Sequence, residues 1–209
     1  MARTGKEIDR ATIARAALEL IDREGLDALS MRHVAAELGV DPMMLYRSVP
    51  NREGMLRDVV SLLFEEIDLS EQPGETWDET LMRMHRSERA MALRHPHALQ
   101  IVVLAPRDEE PVLSFARRLR DLLAKGGLPE GRFFDVWLVD ASFTNGFLLL
   151  ETATLARRAA AEGADAGMAP GAGELAGGLA GTLTGDAFER GLALIYRGLK
   201  ETFASEGEG

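Results

Sequence analysis

Two groups of residues in this chain have types and spacing suited to chemistry. His85 and Glu88 stand three apart, which puts an imidazole and a carboxylate on one helix face, a minimal arrangement for acid–base work. The stretch LGVDPMMLYRSVPNREGML, Leu38 to Leu56, instead gathers Met43, Met44, Tyr46 and Arg47 on a short helix framed by two helix-start signals. Those side chains suit a surface that meets another molecule better than a plain apolar stripe does.

The acid–base pair has little company. No nucleophile elbow, phosphate loop or metal-ligand cluster accompanies it, and with four His and no Cys the chain has no thiolate, disulfide or zinc-thiolate chemistry. His95 and His97 flank Pro96 without an aligned carboxylate pattern. The expectation is therefore no catalytic residue, no metal and no cofactor, with a helical enzyme as the weaker reading.

The charge distribution points the other way. The chain has 209 residues, 46% of them hydrophobic, and a net charge of −10, which by itself argues against a polyanionic partner. Residues 1–52, however, hold eight Lys/Arg and eight Asp/Glu, so the remainder carries the whole deficit. An acidic body is repelled by DNA, so the neutral head with its arginines would be the part held against it. No apolar run approaches the roughly 20 residues of a bilayer crossing, and the start, MARTGKEIDR, lacks the apolar core of a signal peptide. A cytoplasmic protein with no membrane partner is expected.

Local signals place the elements. Ile13, Ala17, Leu20 and Ile21 recur at helical spacing, with Gly25 as a stop. Ser30 caps a helix from Met31 to Leu38, with Leu29 and Val34 as a hydrophobic staple, and Gly39 ends it. The pattern then repeats: Val40 precedes Asp41 as cap, Pro42 takes the first helical position, and Leu45 closes a second staple. Two helices joined by so short a turn must cross steeply, with Val34, Ala35, Leu38, Val40 and Leu45 filling the corner, which is a helix-turn-helix unit. With Leu45 inward, Pro42, Met43, Tyr46 and Arg47 fall on other faces, where thymine methyls, base edges and phosphates would suit them. Core filling remains the alternative for Met43 or Met44, and half-burial for Tyr46. Asn51 caps a further helix whose N–H groups, with Arg52, suit another phosphate.

The rest reads as all-α. A connecting helix spans about 52–67, another runs from Trp77 to about Arg94, and IVVLAP, Ile101 to Pro106, is expected to be the buried end of a helix broken near the proline. Leu113 to Lys125 is amphipathic. Phe133 to Arg158 is apolar on more than one face and is expected to be buried on several sides. Eight glycines between Gly163 and Gly185 suggest a mobile loop, and a final helix from Asp186 to about Phe203 presents Phe188, Leu192, Ile195, Leu199 and Phe203 as one seam.

LSMRHVAAELGVDPMMLYRSVPNREGML, residues 29–56, resembles the DNA-binding signature of the tetracycline-repressor family of bacterial transcriptional regulators. RHPHALQ, DASFTNGFLLLETA and FERGLALIYRGLKE more loosely resemble the ligand-binding domain of the repressor that gives the family its name. The resemblance implies an all-helical homodimer, with a three-helix helix-turn-helix domain over 1–52 and a larger ligand-binding and dimerisation domain over 68–209. It assigns Pro42, Met43, Met44 and Arg47 to bases and Arg32, Tyr46 and Arg52 to phosphates of double-stranded operator DNA. Pro42 and Met44 replace the glutamine and threonine of the namesake, which implies a different operator.

The same resemblance implies a small-molecule effector but not a magnesium–tetracycline complex. The metal-binding His of the namesake aligns near Val102, its pocket Asn and Phe at Met84 and Glu88, and its glutamate at Leu150, one place before Glu151. A more apolar ligand is expected, with Met84, His85, Glu88, Gln100, Trp137, Phe143, Asn145, Phe147 and Glu151 as candidate contacts. Phe147, Leu150, Phe188, Leu192, Ile195 and Leu199 are the candidate dimer interface. A regulator answering to a protein partner is the alternative.

Overall fold

The computed structural model describes residues 8–162, 178 and 181–206. Most of the Gly-rich stretch about 163–185, expected as a loop, lies outside the described residues. Those described form nine α-helices and one 3-10 turn, with no strand among them. The helices are α1 (Arg10–Glu24), α2 (Met31–Glu37), α3 (Pro42–Leu45), α4 (Arg52–Glu65), α5 (Trp77–Arg94), α6 (Leu99–Val103), α7 (Val112–Lys125), α8 (Phe133–Glu162) and α9 (Gly185–Glu206). The chain divides into two compact units, one of residues 1–68 with 94–117 and one of 69–93 with 118–209. Residues 94–117, expected in the larger domain, thus cluster with the first unit, because α6 packs on α4.

In the first unit, α1 begins where Asp9 accepts the Thr12 N–H at 2.7 Å. It buries Ile13, Ala17, Leu20 and Ile21 against α4, which supplies Met55, Val59 and Leu63. Each of these side chains larger than alanine contributes about 1.5–3 kcal/mol when removed from water. Arg10 binds Asp58 through two hydrogen bonds, of 3.0 and 2.7 Å, and fixes the start of α1 on α4. Phe64 stacks on Phe115 with ring centroids 4.5 Å apart. His95 joins distant elements, with Nδ1 2.7 Å from Asp22 and Nε2 3.1 Å from Glu66, so carboxylates do converge on it, though from 73 and 29 residues away.

In the second unit, α5 and α8 both run antiparallel to α9. Trp77 near the start of α5 meets Phe203, whereas Arg86, further along, binds Glu189. Along α8 the order is the same, from Arg132 just before it, over the Phe203 ring, through Asp140 on Tyr196 to Phe147 on Phe188. At Gly191 on α9 an added Cβ would lie 2.3 Å from the Phe143 ring, so only glycine permits this approach.

Two expectations are corrected. The IVVLAP segment contains the end of the five-residue helix α6, but that end is not buried: Ile101, Val102 and Val103 are half-buried and Leu104 is 77% exposed. Helix α8 is not enclosed: Phe134, Leu138, Val139, Leu149, Leu150 and Leu155 are exposed on it. Residues 133–160 are in fact long and apolar enough, by length and composition, to cross a membrane. Asp140 and Glu151, both buried, are nevertheless carboxylates held by side chains of α5 within the unit, as expected of a helix packed on helices.

Candidate nucleic-acid interface and effector site

Helix α3 owes its position to local chemistry. Ser30 accepts the His33 N–H at 3.1 Å to start α2, and Asp41 accepts the Met43 N–H at 2.8 Å to start α3. Gly39 between them has φ +65°, a left-handed conformation that a side chain would strain. Leu45, Val34 and Ala35 are buried in the corner. Only Pro42 to Leu45 are helical, and Tyr46 and Arg47 continue in a turn.

Met43 is 69% and Tyr46 47% exposed; Arg32 and Arg47 are also exposed, and Pro42 and Met44 are half-buried. Core filling therefore does not describe Met43. Arg52 differs from expectation: its Nε donates to the Leu29 carbonyl at 3.0 Å and its Nη2 to that of Leu26 at 3.2 Å. The Leu26 carbonyl opens the 3-10 turn Leu26–Ala28, where it also accepts the Leu29 N–H at 3.2 Å, and the Leu29 carbonyl follows the turn, so Arg52 ties α4 to the segment before α2. Asn51 caps α4 by accepting the Gly54 N–H at 2.8 Å.

Nearby, Glu24, His33 and Glu37 place one ligand atom each within 4.8 Å of one another, a group absent from the sequence reading. Arg23 already binds both carboxylates and supplies the counter-charge.

In the second unit the candidate effector residues are drawn into a polar core. His85 is 2% exposed, with Nδ1 2.7 Å from Glu88 and Nε2 2.8 and 2.9 Å from the two oxygens of Asp140. Burial alone would lower its pKa, but the Asp140 charge and the hydrogen bonds to both carboxylates outweigh burial and push it up to about 10. The ring is thus an imidazolium at neutral pH, with no lone pair to act as a base. The Tyr196 hydroxyl donates to Asp140 at 2.5 Å, and burial and that carboxylate's charge together raise the phenol's pKa. Glu151 accepts two hydrogen bonds from Arg89, at 2.9 and 2.6 Å.

Phe143 and Phe147 lie 6.0 and 5.0 Å from the Phe188 ring, whose other neighbour is the edge of His85 at 6.2 Å. His85, Glu88, Phe143 and Phe147 therefore belong to one cluster. Trp137 sits beside Phe133, Met84 is buried, Asn145 is half-buried, and Gln100 belongs to the first unit. Phe188 and Leu192, expected at the dimer interface, are 1% and 0% exposed within the chain and have no surface to offer a partner.

Residues 13–59 match the family described as bacterial regulatory proteins, tetR family, and residues 70–203 match the tetracyclin repressor-like C-terminal domain. The chain belongs to the TetR family. Its relatives include the HTH-type transcriptional repressor DrrR1 of Streptomyces coeruleorubidus, 39% identical over 94 residues, or 43% of this chain and 33% of that protein. Tetracycline repressor protein class D of Escherichia coli is 29% identical over 159 residues, 74% of this chain and 72% of that one. The match thus spans a third of DrrR1, and 59% of a regulator from Saccharopolyspora erythraea. Among solved structures, ActR of Streptomyces coelicolor in complex with actinorhodin has a TM-score of 0.70 at 29% identity, covering 95% of this chain and 96% of that one.

For a TetR-family chain, the sequence reading missed Arg89, Asp140, Thr144 and Tyr196. Asp140 carried a signal, a lone carboxylate amid an apolar run. Thr144 is 1% exposed and its hydroxyl has no hydrogen-bond partner among the described residues.

Proposed function

We propose that this protein is a repressor that binds a pseudo-palindromic operator as a homodimer and is released by a small apolar molecule held in its second unit. The observation that carries the reading is α3, a capped helix that follows α2 through the Gly39 turn, with Met43 on it and Tyr46 at its end open to solvent and Arg47 beside them. Met43 suits thymine methyls, Pro42 and Met44 suit the groove wall, Arg47 a base edge or phosphate, and Tyr46 and Arg32 phosphates. Arg52 serves this surface indirectly, by holding the segment before α2.

Dimerisation is supported by the outward face of α8, where Leu138, Ser142, Leu149 and Leu150 lie exposed, and by Leu194 on α9, 65% exposed. No Cβ at Gly146 or Gly198 would come within 4 Å of a neighbouring atom among the described residues, which leaves room for close helix approach. Phe147, Ile195 and Leu199, half-buried, would border that interface. Two α3 helices about 34–36 Å apart would then read successive major-groove turns.

An effector in the second unit finds support in the orphaned Thr144 hydroxyl, which a ligand can satisfy, and in the aromatic surroundings of Phe143, Phe147 and Trp137. ActR, solved in complex with actinorhodin and with (S)-DNPA, supports a small-molecule ligand for this unit. Ligand would favour a head spacing that no longer fits, a coupling of about 1–3 kcal/mol that must equally weaken ligand on the DNA complex. The test is selection of duplexes from a random pool by the purified protein. A palindromic product whose affinity falls steeply with salt supports the reading, and the absence of any enriched sequence overturns it.

A further inference from the structure

The first unit contains a cavity of about 460 Å³ that the proposed function leaves unused. Its walls come from Leu56 and Val60 of α4, Ile101 of α6, Ala105 and Pro106 beyond it, and Leu26 of the 3-10 turn that leads to α2. Its size falls in the range of small-molecule sites. Leu104, on the same lining, is 77% exposed, an apolar side chain that the core does not cover.

The polar groups at this cavity are asymmetric in charge. Glu53, Glu109 and Glu110 line it against a single cation, Arg57, which reaches Glu109 only at 3.4 Å. Glu110 is occupied by Arg117 at 2.7 Å and by the Ser114 N–H at 2.9 Å. The Glu53 carboxylate makes no hydrogen bond or ion pair among the described residues, and neither does the amide of Gln100. An apolar chamber with a spare carboxylate and a spare amide matches an apolar body bearing one cationic hydrogen-bond donor.

We propose that this cavity is a second small-molecule site and that it takes a compact hydrophobic amine in its ammonium form. The apolar body sits against Leu56, Val60, Ile101 and Ala105, and the ammonium is held by Glu53 with the Gln100 carbonyl. Binding here is independent of whether the second unit holds an effector, so its failure would leave the proposed function untouched.

The probe is 1-naphthylmethylamine, titrated against the full-length protein by naphthalene fluorescence, with 1-naphthalenemethanol as the neutral isostere. The amine is expected to saturate and to bind about fivefold more tightly than the alcohol, the size of one partly exposed ion pair. Glu53→Gln, at an exposed position, should bring the amine to the affinity of the alcohol. Ala105→Trp, which fills the chamber, should abolish binding of both while helical circular dichroism is retained. Equal affinities of amine and alcohol for the wild type, an undiminished amine preference in Glu53→Gln, or the absence of saturable binding would each overturn the proposal. If Ala105→Trp fails to fold, the Glu53→Gln comparison decides alone.

Discussion

Asp140 on α8 accepts hydrogen bonds from His85 on α5, at 2.8 and 2.9 Å, and from Tyr196 on α9, at 2.5 Å. One carboxylate therefore joins three helices of the second unit. Replacing it by Asp140→Asn leaves a buried imidazolium short of a counter-charge, and a loss of about 3–5 kcal/mol is expected in urea unfolding. Tyr196→Phe removes only one bond to a charged group and should cost about 1.5–3 kcal/mol.

The His85 pKa, raised from 6.5 to about 10, makes stability depend on pH with a definite sign. The folded state holds a proton that the unfolded chain releases, so the contribution is complete below about pH 6.5 and is lost as pH rises toward about 10. Urea unfolding across that window should show stability falling by up to about 1.4 kcal/mol per pH unit from this group. The His85→Gln, Asp140→Asn double variant, an amide pair, should show a flatter profile.

Gly191 and Phe143 form a second pair whose contact can be tested. Gly191→Ala places a methyl 2.3 Å from the ring and should destabilise by about 1–3 kcal/mol, with part of the loss recovered when Phe143→Leu is added. Additive losses in the double-variant cycle would show that the two residues do not share space.

The exposed face of α8 makes a prediction about assembly. Leu150, 57% exposed, has few contacts to lose within the chain, so Leu150→Lys should leave thermal stability of the subunit's core little changed while shifting the protein to monomer. Sedimentation velocity reads the outcome, and a persistent dimer would place the interface elsewhere.

Much of the first unit was legible because its determinants are local. Ser30, Asp41, Asn51 and Gly39 act within three residues of their own positions, so caps and turn could be read directly. The backbone partners of Arg52, the carbonyls of Leu26 and Leu29, were not legible because they lie more than twenty residues back. The polar core of the second unit was hidden for the same reason, since 55 residues separate His85 from Asp140. Helix α8 shows a different ambiguity: an apolar residue facing a partner subunit and one facing the core have the same composition. Leu150 and Phe188 therefore could not be told apart, although the structure exposes the first and buries the second.

The central claim is that α3 reads DNA, and the most direct measurement is fluorescence anisotropy on a duplex selected by the wild-type protein. Met43→Ala, Tyr46→Ala and Arg47→Ala alter exposed side chains, so their melting temperatures should match the wild type. Each should lose about 1–3 kcal/mol of operator affinity, with the Met43 loss confined to specific sequence. Wild-type affinity in all three variants, at equal stability, would contradict the account.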